Sequence, residues 1–219
     1  SKMGRIDLRI STYPTLFGEN TVLRLLNLKE ALFPLSSLGF RRDTETDFNN
    51  MLYGGEGIIL VSGPTGSGKT TTLYSTLNKM EKPDINIVTI EDPIEFDLEN
   101  INQAQVNTKS GVTFASALRS ILRQDPDIIM VGEIRDDETV ELAIRAALTG
   151  HLVFSTIHTN DAASGFARLL NWEIEPFLIA STVKGILAQR LVRRICENCK
   201  VEHDITDREA TLLKIDKKK

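Results

Sequence analysis

A glycine-rich segment, GPTGSGKT at 63–70, has residue types and spacing suited to holding phosphate groups. Its pattern is G-x-x-x-x-G-K-[ST], in which glycines allow successive backbone N–H groups to turn inward around phosphate oxygens. Lys69 would place a positive charge on the β- and γ-phosphates, and the Thr70 hydroxyl would bind Mg²⁺. The predicted binding residues are Gly63, Pro64, Thr65, Gly66, Ser67, Gly68, Lys69, Thr70 and Thr71.

The surroundings of this segment strengthen the prediction. It follows the apolar run IILVS and precedes a predicted helix, whose N-terminal dipole would favour an anion. An ordinary glycine-rich turn between a strand and a helix is the alternative, and this context disfavours it. The sequence therefore predicts binding and hydrolysis of Mg·ATP.

Acidic and histidine side chains follow three further apolar runs. They are Glu91, Asp92 and Glu95 after INIVTI, Glu133 after DIIMVG, and His158, Asn160 and Asp161 after LVFSTI. Ligands in open α/β sheets bind at the carboxyl ends of the strands. A carboxylate there could orient the attacking water and help to hold the metal, and Glu133, Glu91 and Glu95 are the candidates.

Each of these side chains also has a structural interpretation. His158 could contact the γ-phosphate, although a single histidine more often has a structural role, and His151 even more so. Acidic residues after strands often cap the next helix, as we expect of Asp136 and Asp137.

Four arginines are weaker candidates. Arg119 and Arg123 fall one turn apart on a predicted helix, and Arg9 and Arg24 lie in strand-like segments. Most arginines are solvated surface charges. These four would gain a catalytic role only if another surface brought the γ-phosphate of ATP to them.

The elements that must position these residues alternate along the chain from Gly57 onwards. Predicted strands cover 57–63, 85–92, 127–133 and 151–159; predicted helices cover 68–80, 113–123 and 136–149, and helical segments dominate 161–195. Continuous Val and Ile runs are typical of strands buried on both faces, as in parallel sheets. The alternation predicts a layered α/β fold with right-handed crossovers.

The N-terminal segment has a different pattern. Two strands are predicted at 5–11 and 21–26, with turn signals at Tyr13-Pro14 and 18–20. Two strands are too few for a stable sheet, so we expect the end of a larger α+β domain. The predicted organisation is the end of this domain with its linker at 1–34, an ATPase core at 35–195, and the start of a cysteine-containing subdomain at 196–219. We therefore expect a piece of a longer protein.

Composition limits the class of protein. The 219 residues are 41% hydrophobic and 26% charged, as in a globular domain. The formal net charge of -4 argues against direct contact with nucleic acid. No apolar run approaches the roughly 20 residues that span a bilayer. Cys196 and Cys199 form a single C-x-x-C, which is not the disulfide framework of a secreted protein.

Several segments, taken in order, resemble the secretion ATPase superfamily of type II secretion and type IV pilus machines. They are VSGPTGSGKTTTLY, TIEDPIEF, LRSILRQDPDIIMVGEIRD, TGHLVFSTIHTNDA and PFLIAS…LAQRLVRRICENC, and LRISTYPTLFGENTVLRLL resembles the end of that family's N-terminal domain. Together they cover nearly the whole chain up to Cys199. The resemblance implies a RecA-like P-loop core.

The resemblance also implies roles for matched positions. Residues 63–70 are similar to the Walker A motif, the segment from Glu91 to Glu95 resembles the Asp box, and 151–162 resembles the His box. Glu133 stands where an atypical Walker B motif carries the catalytic glutamate, and it would contact Mg²⁺ directly or through water. Arg9 and Arg24 match arginines that clamp phosphates across domains. Arg119 and Arg123 match arginines at the interface that bears the nucleotide.

A motor function follows from this resemblance. It implies a ring, expected to be a hexamer, at the cytoplasmic face of the inner membrane, where ATP hydrolysis would change the orientation of two domains. That motion would act on a membrane platform protein that adds pilin or pseudopilin subunits. Two alternatives stay open. One is a nucleic-acid motor, and the other is a scaffold that binds ATP, or another purine ligand, without turnover.

Two features depart from the family's pattern or leave it incomplete. Cys196 and Cys199 resemble the first half of a four-cysteine zinc subdomain, but zinc needs four ligands and His203 is a weak third candidate. We expect zinc in the full-length protein, where the second cysteine pair would complete the ligands. In this chain, a free cysteine pair is an equal alternative. Trp172-Glu173 replaces a common Met-Gly, which we expect to alter a turn or a packing contact without preventing nucleotide binding.

Overall fold

The computed structural model describes residues 6–27 and 32–215. Their strands are β1 Ile6–Thr15, β2 Gly18–Asn27, β3 Gly57–Ser62, β4 Ile87–Glu91, β5 Asn102–Gln105, β6 Ile128–Val131, β7 Leu152–Ile157 and β8 Val183–Ala188. Their α-helices are α1 Arg42–Leu52, α2 Lys69–Met80, α3 Phe114–Ile121, α4 Asp137–Leu148, α5 Ala162–Asn171, α6 Pro176–Thr182 and α7 Asp207–Leu213. Short 3-10 turns lie at Leu35–Ser37 and Thr108–Ser110.

A parallel sheet forms the centre of the molecule. Within the described part of the chain it has six strands in the order β5-β4-β6-β7-β3-β8, and every pairing is parallel. Strands β3, β4, β6 and β7 are buried along their whole length, as the apolar runs predicted. The predicted layered α/β fold is confirmed. The carboxyl ends of these strands meet at one edge, which is where the candidate residues follow them.

Helices cover both faces of the sheet. Ile58 and Leu60 of β3 pack with Leu118 of α3 and residues of α4 on one face. Ile59 and Val61 point the other way and pack with α1 and α2. This alternation along one strand produces two apolar cores and three layers.

Four elements differ from what the sequence predicts. Helix α1 and strand β5 were not predicted, because their sequences RDTETDFNNML and NQAQ contain few apolar residues. Helix α7 was not predicted either. The helical prediction for 161–195 is right for α5 and α6 but wrong for Val183–Ala188, which is strand β8, and for 189–195, which has no regular secondary structure. This strand follows α6 without a turn residue, so no local signal marks the change.

The N-terminal strands form an antiparallel hairpin. Both predicted strands are confirmed and are longer than expected. The turn lies at Leu16 and Phe17, whereas both predicted turn segments, Tyr13-Pro14 and 18–20, lie within the strands. Arg9 and Arg24 are direct partners in the ladder. Part of the predicted linker, 28–31, lies outside the described residues. The three predicted regions, and the two boundaries between them, remain predictions.

The longest helices among the described residues, α2 and α4, have 12 residues each. Within residues 6–27 and 32–215, no helix has the length and apolar character needed to cross a membrane.

Candidate active site

The glycine-rich loop connects β3 to α2 at the carboxyl end of β3. Gly68 has a left-handed backbone, with φ of 85°, immediately before Lys69 begins α2. At Gly63, a Cβ atom would lie 2.5 Å from the Gln189 carbonyl oxygen and 2.5 Å from Ser67 Oγ. Both positions therefore require glycine, one for its backbone conformation and the other also for close packing.

Lys69 lies inside the loop. Its Nζ donates to the carbonyl oxygens of Gly63 at 2.9 Å and Pro64 at 3.2 Å. Burial lowers the pKa of Lys69, and the nearby Glu133 carboxylate opposes that shift. The ammonium group is thus electrostatically coupled to a carboxylate at the end of another strand.

A cleft of about 620 Å³ opens in front of the loop. The predicted residues that line it are Thr65, Gly66, Ser67, Gly68, Lys69, Thr70, Thr71, Glu91, Asp92, Glu95, Glu133, His158 and Arg24. The fold therefore brings most of the candidates, from five separate segments, into one cavity. Its volume is in the range of small-molecule and cofactor sites.

Glu133 follows β6, and its carboxylate contacts the side chains of Arg135 and His158. Its carboxylate forms a close ion pair with Arg135, and its Oε2 lies 3.5 Å from His158 Nε2. The Glu133 side chain is 14% exposed, so the carboxylate opens into the cleft without being fully solvated. The hydrogen bond to Glu133 raises the pKa of Arg135. Arg135 was not predicted from the sequence, although it stands two residues after Glu133 in GEIRD.

Glu91 differs from the other carboxylates because it is only 3% exposed. Its Oε1 accepts from Thr89 Oγ1 at 2.6 Å and from Gln103 Nε2 at 3.0 Å, and its Oε2 accepts a close hydrogen bond from Tyr74 Oη. Tyr74 also accepts from the backbone N–H of Glu95 at 3.3 Å. Burial raises the pKa of Tyr74, and the hydrogen bond to the Glu91 carboxylate raises it further. Glu91 is thus the centre of a buried network beneath the cleft.

Of the three predicted arginines whose side chains the structure describes, one lies in this cleft. Arg119 of α3 forms a close ion pair with Glu138, and Arg123 donates to the Arg119 carbonyl oxygen at 2.8 Å. Within the described residues, neither side chain lines the cleft, whereas Arg24 does. The side chain of Arg9 lies outside the part of the chain that the structure describes.

Several polar residues near the site have structural contacts. The Asp136 carboxylate accepts from Thr139 N at 2.7 Å and caps α4, which confirms the capping prediction at this position. Asp161 caps α5 by accepting from Ser164 N at 2.7 Å, and this hydrogen bond lowers the pKa of Asp161. The Asn160 carbonyl oxygen accepts from Arg190.

The two histidines of the predicted His box lie at opposite ends of β7. His151 precedes the strand, and its Nδ1 lies 2.8 Å from the Ala146 carbonyl oxygen, at the end of α4. His158 follows the strand and lines the cleft. The structure therefore gives His151 a structural contact and His158 a place in the site.

Cys196 and Cys199 are exposed free thiols. Hydrogen bonds from the Asn198 backbone and from Cys199 lower the pKa of the Cys196 thiol. Among residues 6–27 and 32–215, no group of three or more His, Cys, Asp or Glu side chains is placed to hold a metal. Two thiols leave the four-ligand shell of a structural zinc incomplete, so these residues do not form a zinc site by themselves.

The Trp172-Glu173 pair ends helix α5. Glu173 has a left-handed backbone with φ of 59°, a conformation that glycine adopts without strain. Trp172 packs against the core, and the Arg168 guanidinium lies 4.7 Å from the centre of its ring. Glu173 thus adopts a left-handed turn conformation after α5, at a conformational cost that a glycine would not have.

The fold and the loop together define a class. A glycine-rich phosphate loop between a buried parallel strand and a helix, in this α/β architecture, is a RecA-like P-loop domain. The chain belongs to the type II/IV secretion system protein family, whose family model matches residues 2–218.

Similar proteins of known name support this assignment. The chain is 54% identical over 199 residues to the type II secretion system protein HxcR of Pseudomonas aeruginosa, covering 91% of the chain and 42% of that protein. It is 52% identical over 205 residues to the type IV pilus assembly ATPase PilB of the same organism, covering 94% and 36%. The crystal structure of the pilus retraction motor PilT with bound ADP is similar, with a TM-score of 0.69 and 35% identity over 84% of this chain and 59% of that one. The chain thus spans less than half the length of these two curated relatives.

Proposed function

We propose that this chain is the catalytic core of an ATP-hydrolysing motor of type II secretion or type IV pilus assembly. The observation that carries the proposal is the shared cleft, in which Lys69 and Thr70 of the loop face Glu133 at the end of β6, with β7 between β6 and β3 in the sheet. Relatives with high identity are named as a type II secretion protein and a pilus assembly ATPase. The activity and partners of the whole protein are part of this proposal.

The phosphate loop would bind ATP through its backbone. Residues 63–71 would surround the β- and γ-phosphates with N–H groups at the N-terminus of α2, and Lys69 would exchange its carbonyl partners for phosphate oxygens. The Thr70 hydroxyl and the Glu133 carboxylate line one cleft and are the oxygen donors that Mg²⁺ prefers. Bound Mg²⁺ would neutralise charge on the phosphates.

Glu133 would orient the attacking water and accept its proton. Its limited exposure and its position opposite Lys69 fit this role. His158, 3.5 Å from the same carboxylate, would hold it in place and contact the γ-phosphate. Glu95 would assist at the water or the metal, Glu91 would support it from below, and Arg24, with Arg9, would add positive charge from the N-terminal hairpin.

The whole protein would work as a homo-oligomeric ring, a hexamer in our proposal. It would lie at the cytoplasmic face of the inner membrane and act on a membrane platform protein, with no direct contact to nucleic acid. Hydrolysis would reorient the N-terminal domain against this core. Zinc would be bound only where the full-length protein supplies further ligands to Cys196 and Cys199.

Steady-state ATPase measurements on the full-length protein test the catalytic assignment. Glu133→Gln should lower kcat by about 100-fold or more, because it removes a general base while keeping the shape of the side chain. Nucleotide affinity should stay within a few-fold, whereas Lys69→Ala should weaken it strongly. Glu141→Gln is the matched control, since Glu141 is 61% exposed on α4 and should leave kcat unchanged.

Two results would contradict the proposal. Hydrolysis by Glu133→Gln at the wild-type rate would remove Glu133 from the chemistry. Tight ATP binding with no phosphate release by the wild-type ring would favour the nucleotide-dependent scaffold instead.

A further inference from the structure

Gln189 is the first residue after β8 and lies against the phosphate loop. Its backbone N–H donates to the Ser62 carbonyl oxygen at 2.9 Å, which continues the pairing with β3. Its side-chain Nε2 donates to the Ser67 carbonyl oxygen at 2.7 Å. Its Oε1 accepts from Thr72 Oγ1 at 2.8 Å. One side chain therefore connects an edge strand, the loop and the first turn of α2.

The chemistry of the partners fixes the orientation of this amide. A backbone carbonyl can only accept, so the NH₂ group must face Ser67, and the amide oxygen is left for the Thr72 hydroxyl. Ser67 and Thr72 are 3% and 2% exposed, so a lost partner could not easily be replaced by water. The contact is thus specific for glutamine rather than for any polar residue.

The two required glycines of the loop also pack against Gln189. A Cβ atom on Gly63 would lie 2.5 Å from its carbonyl oxygen, and one on Gly68 would lie 3.2 Å from its Nε2. The loop and Gln189 are therefore complementary in shape as well as in hydrogen bonding. Because Gln189 approaches from β8, it supports the loop without lining the cleft, as far as the described residues show.

We propose that Gln189 is a positioning residue for nucleotide binding, which holds the loop in the shape where its N–H groups converge on phosphate. The inference rests on the proposed function, since it assigns a support to that same site. Gln189 was not predicted from the sequence to have a role. Its partners are 122 and 117 residues away in the chain, so no local pattern marks it.

Titration of the full-length protein with a fluorescent ADP analogue tests the proposal. Gln189→Glu keeps the size of the side chain but turns a carboxylate oxygen toward the Ser67 carbonyl oxygen. We expect the Kd to rise about tenfold or more, because a buried hydrogen bond becomes a repulsion between two acceptors. The KM for ATP should rise with it, and kcat should change less. Gln124→Glu, the same change at an exposed position on the other side of the fold, should have no effect.

A second set of variants tests the Thr72 contact and does not depend on Gln189→Glu folding well. Thr72→Val removes the hydroxyl and should weaken binding by several-fold, whereas Thr72→Ser should restore it. Gln189→Leu and Thr72→Val break the same bond, so the double variant should lose less affinity than the two single losses combined. Thermal unfolding of each variant shows whether the protein measured is folded.

The outcomes separate this inference from the proposed function. If the wild type binds the analogue, Lys69→Ala does not, and folded Gln189→Glu binds within twofold of the wild type, the role of Gln189 is refuted alone. Full additivity of Gln189→Leu and Thr72→Val would refute it as well. If the wild type itself binds no nucleotide, the proposed function is refuted, and the role of Gln189 is refuted as well.

Discussion

Glu91 and Glu95 are four residues apart but have different surroundings. Both oxygens of Glu91 accept hydrogen bonds from side chains beneath the cleft, and the residue is buried. Glu95 lines the same cleft but is less buried, and its backbone N–H donates to Tyr74 of this network. We therefore predict different roles for the two carboxylates, with Glu91 supporting the site and Glu95 acting at its reacting end.

Glutamine substitutions should separate these tasks. Glu95→Gln should lower kcat with little change in stability, because it removes a charge that faces the cleft. Glu91→Gln should lower the free energy of unfolding by about 1–3 kcal/mol, because its NH₂ group cannot accept from the donors around it. Urea unfolding and ATPase rates measured on both variants check the contrast. Equal loss of kcat in both, with unchanged stability, would argue that Glu91 acts in the chemistry as well.

At this scale, sequence predicts residues whose signal is local. The loop at 63–70 and Glu133 after its strand could be recognised because both depend on a strand directly before them. Tyr74 and Gln189 could not be recognised in this way, since their contacts at the site are with residues far along the chain. Arg135 lay within a recognised motif, but nothing in its type distinguishes an ion pair with Glu133 from a solvated charge.

Helix α1 shows how an element with a weak pattern can be essential to packing. Phe48 is fully buried, with its ring 6.0 Å from that of Phe40 and in the apolar core that contains Tyr74 of α2. The remaining residues of the helix are largely polar, so the burial of α1 depends on very few side chains.

Phe48→Ala should therefore destabilise the fold by about 3–5 kcal/mol, the usual cost of removing a buried aromatic ring. The free energy of unfolding in urea is the measurement. Tyr53→Ala is the matched control, because Tyr53 caps the same helix but is 76% exposed, and it should change stability by less than about 0.5 kcal/mol. Similar losses in both variants would show that α1 contributes through its backbone rather than through the Phe48 contact.

Element prediction succeeded and failed for physical reasons. The strands β3, β4, β6 and β7 lie inside the sheet, so burial on both faces imposes apolar runs that can be read directly. Strands β5 and β8 lie at its edges, where NQAQ and VKGILA are less constrained. The layered fold was thus predictable from the central strands, whereas the edges depended on tertiary pairing.

Arg119 and Arg123 raise a question at the scale of the whole molecule. Within the described residues they lie on α3 outside the cleft, where Arg119 pairs with Glu138 and Arg123 donates to a carbonyl. An arginine that stabilises a transferred phosphoryl group must reach its oxygens. If these residues act in catalysis, they do so in the cleft of a neighbouring subunit, which agrees with the proposed ring.

Mixing two inactive variants of the full-length protein tests this arrangement. Arg123→Ala keeps its phosphate loop but lacks the arginine, and Lys69→Ala keeps Arg123 but lacks the loop lysine. Each variant should therefore be inactive alone. In a mixed ring, about a quarter of the interfaces should pair an intact loop with an intact arginine from its neighbour. Co-assembly should therefore restore a fraction of the wild-type ATPase rate.

The control for this experiment is a mixture of Lys69→Ala with Glu133→Gln. Lys69 and Glu133 line the same cleft of one chain, so no interface in that mixture contains a complete site and the rate should stay at background. If the Arg123→Ala mixture also stays at background, Arg123 acts within its own subunit or not at all. Recovery in that mixture alone would show that each complete site is shared between two subunits, because the two mixtures differ only in which chain supplies the missing group.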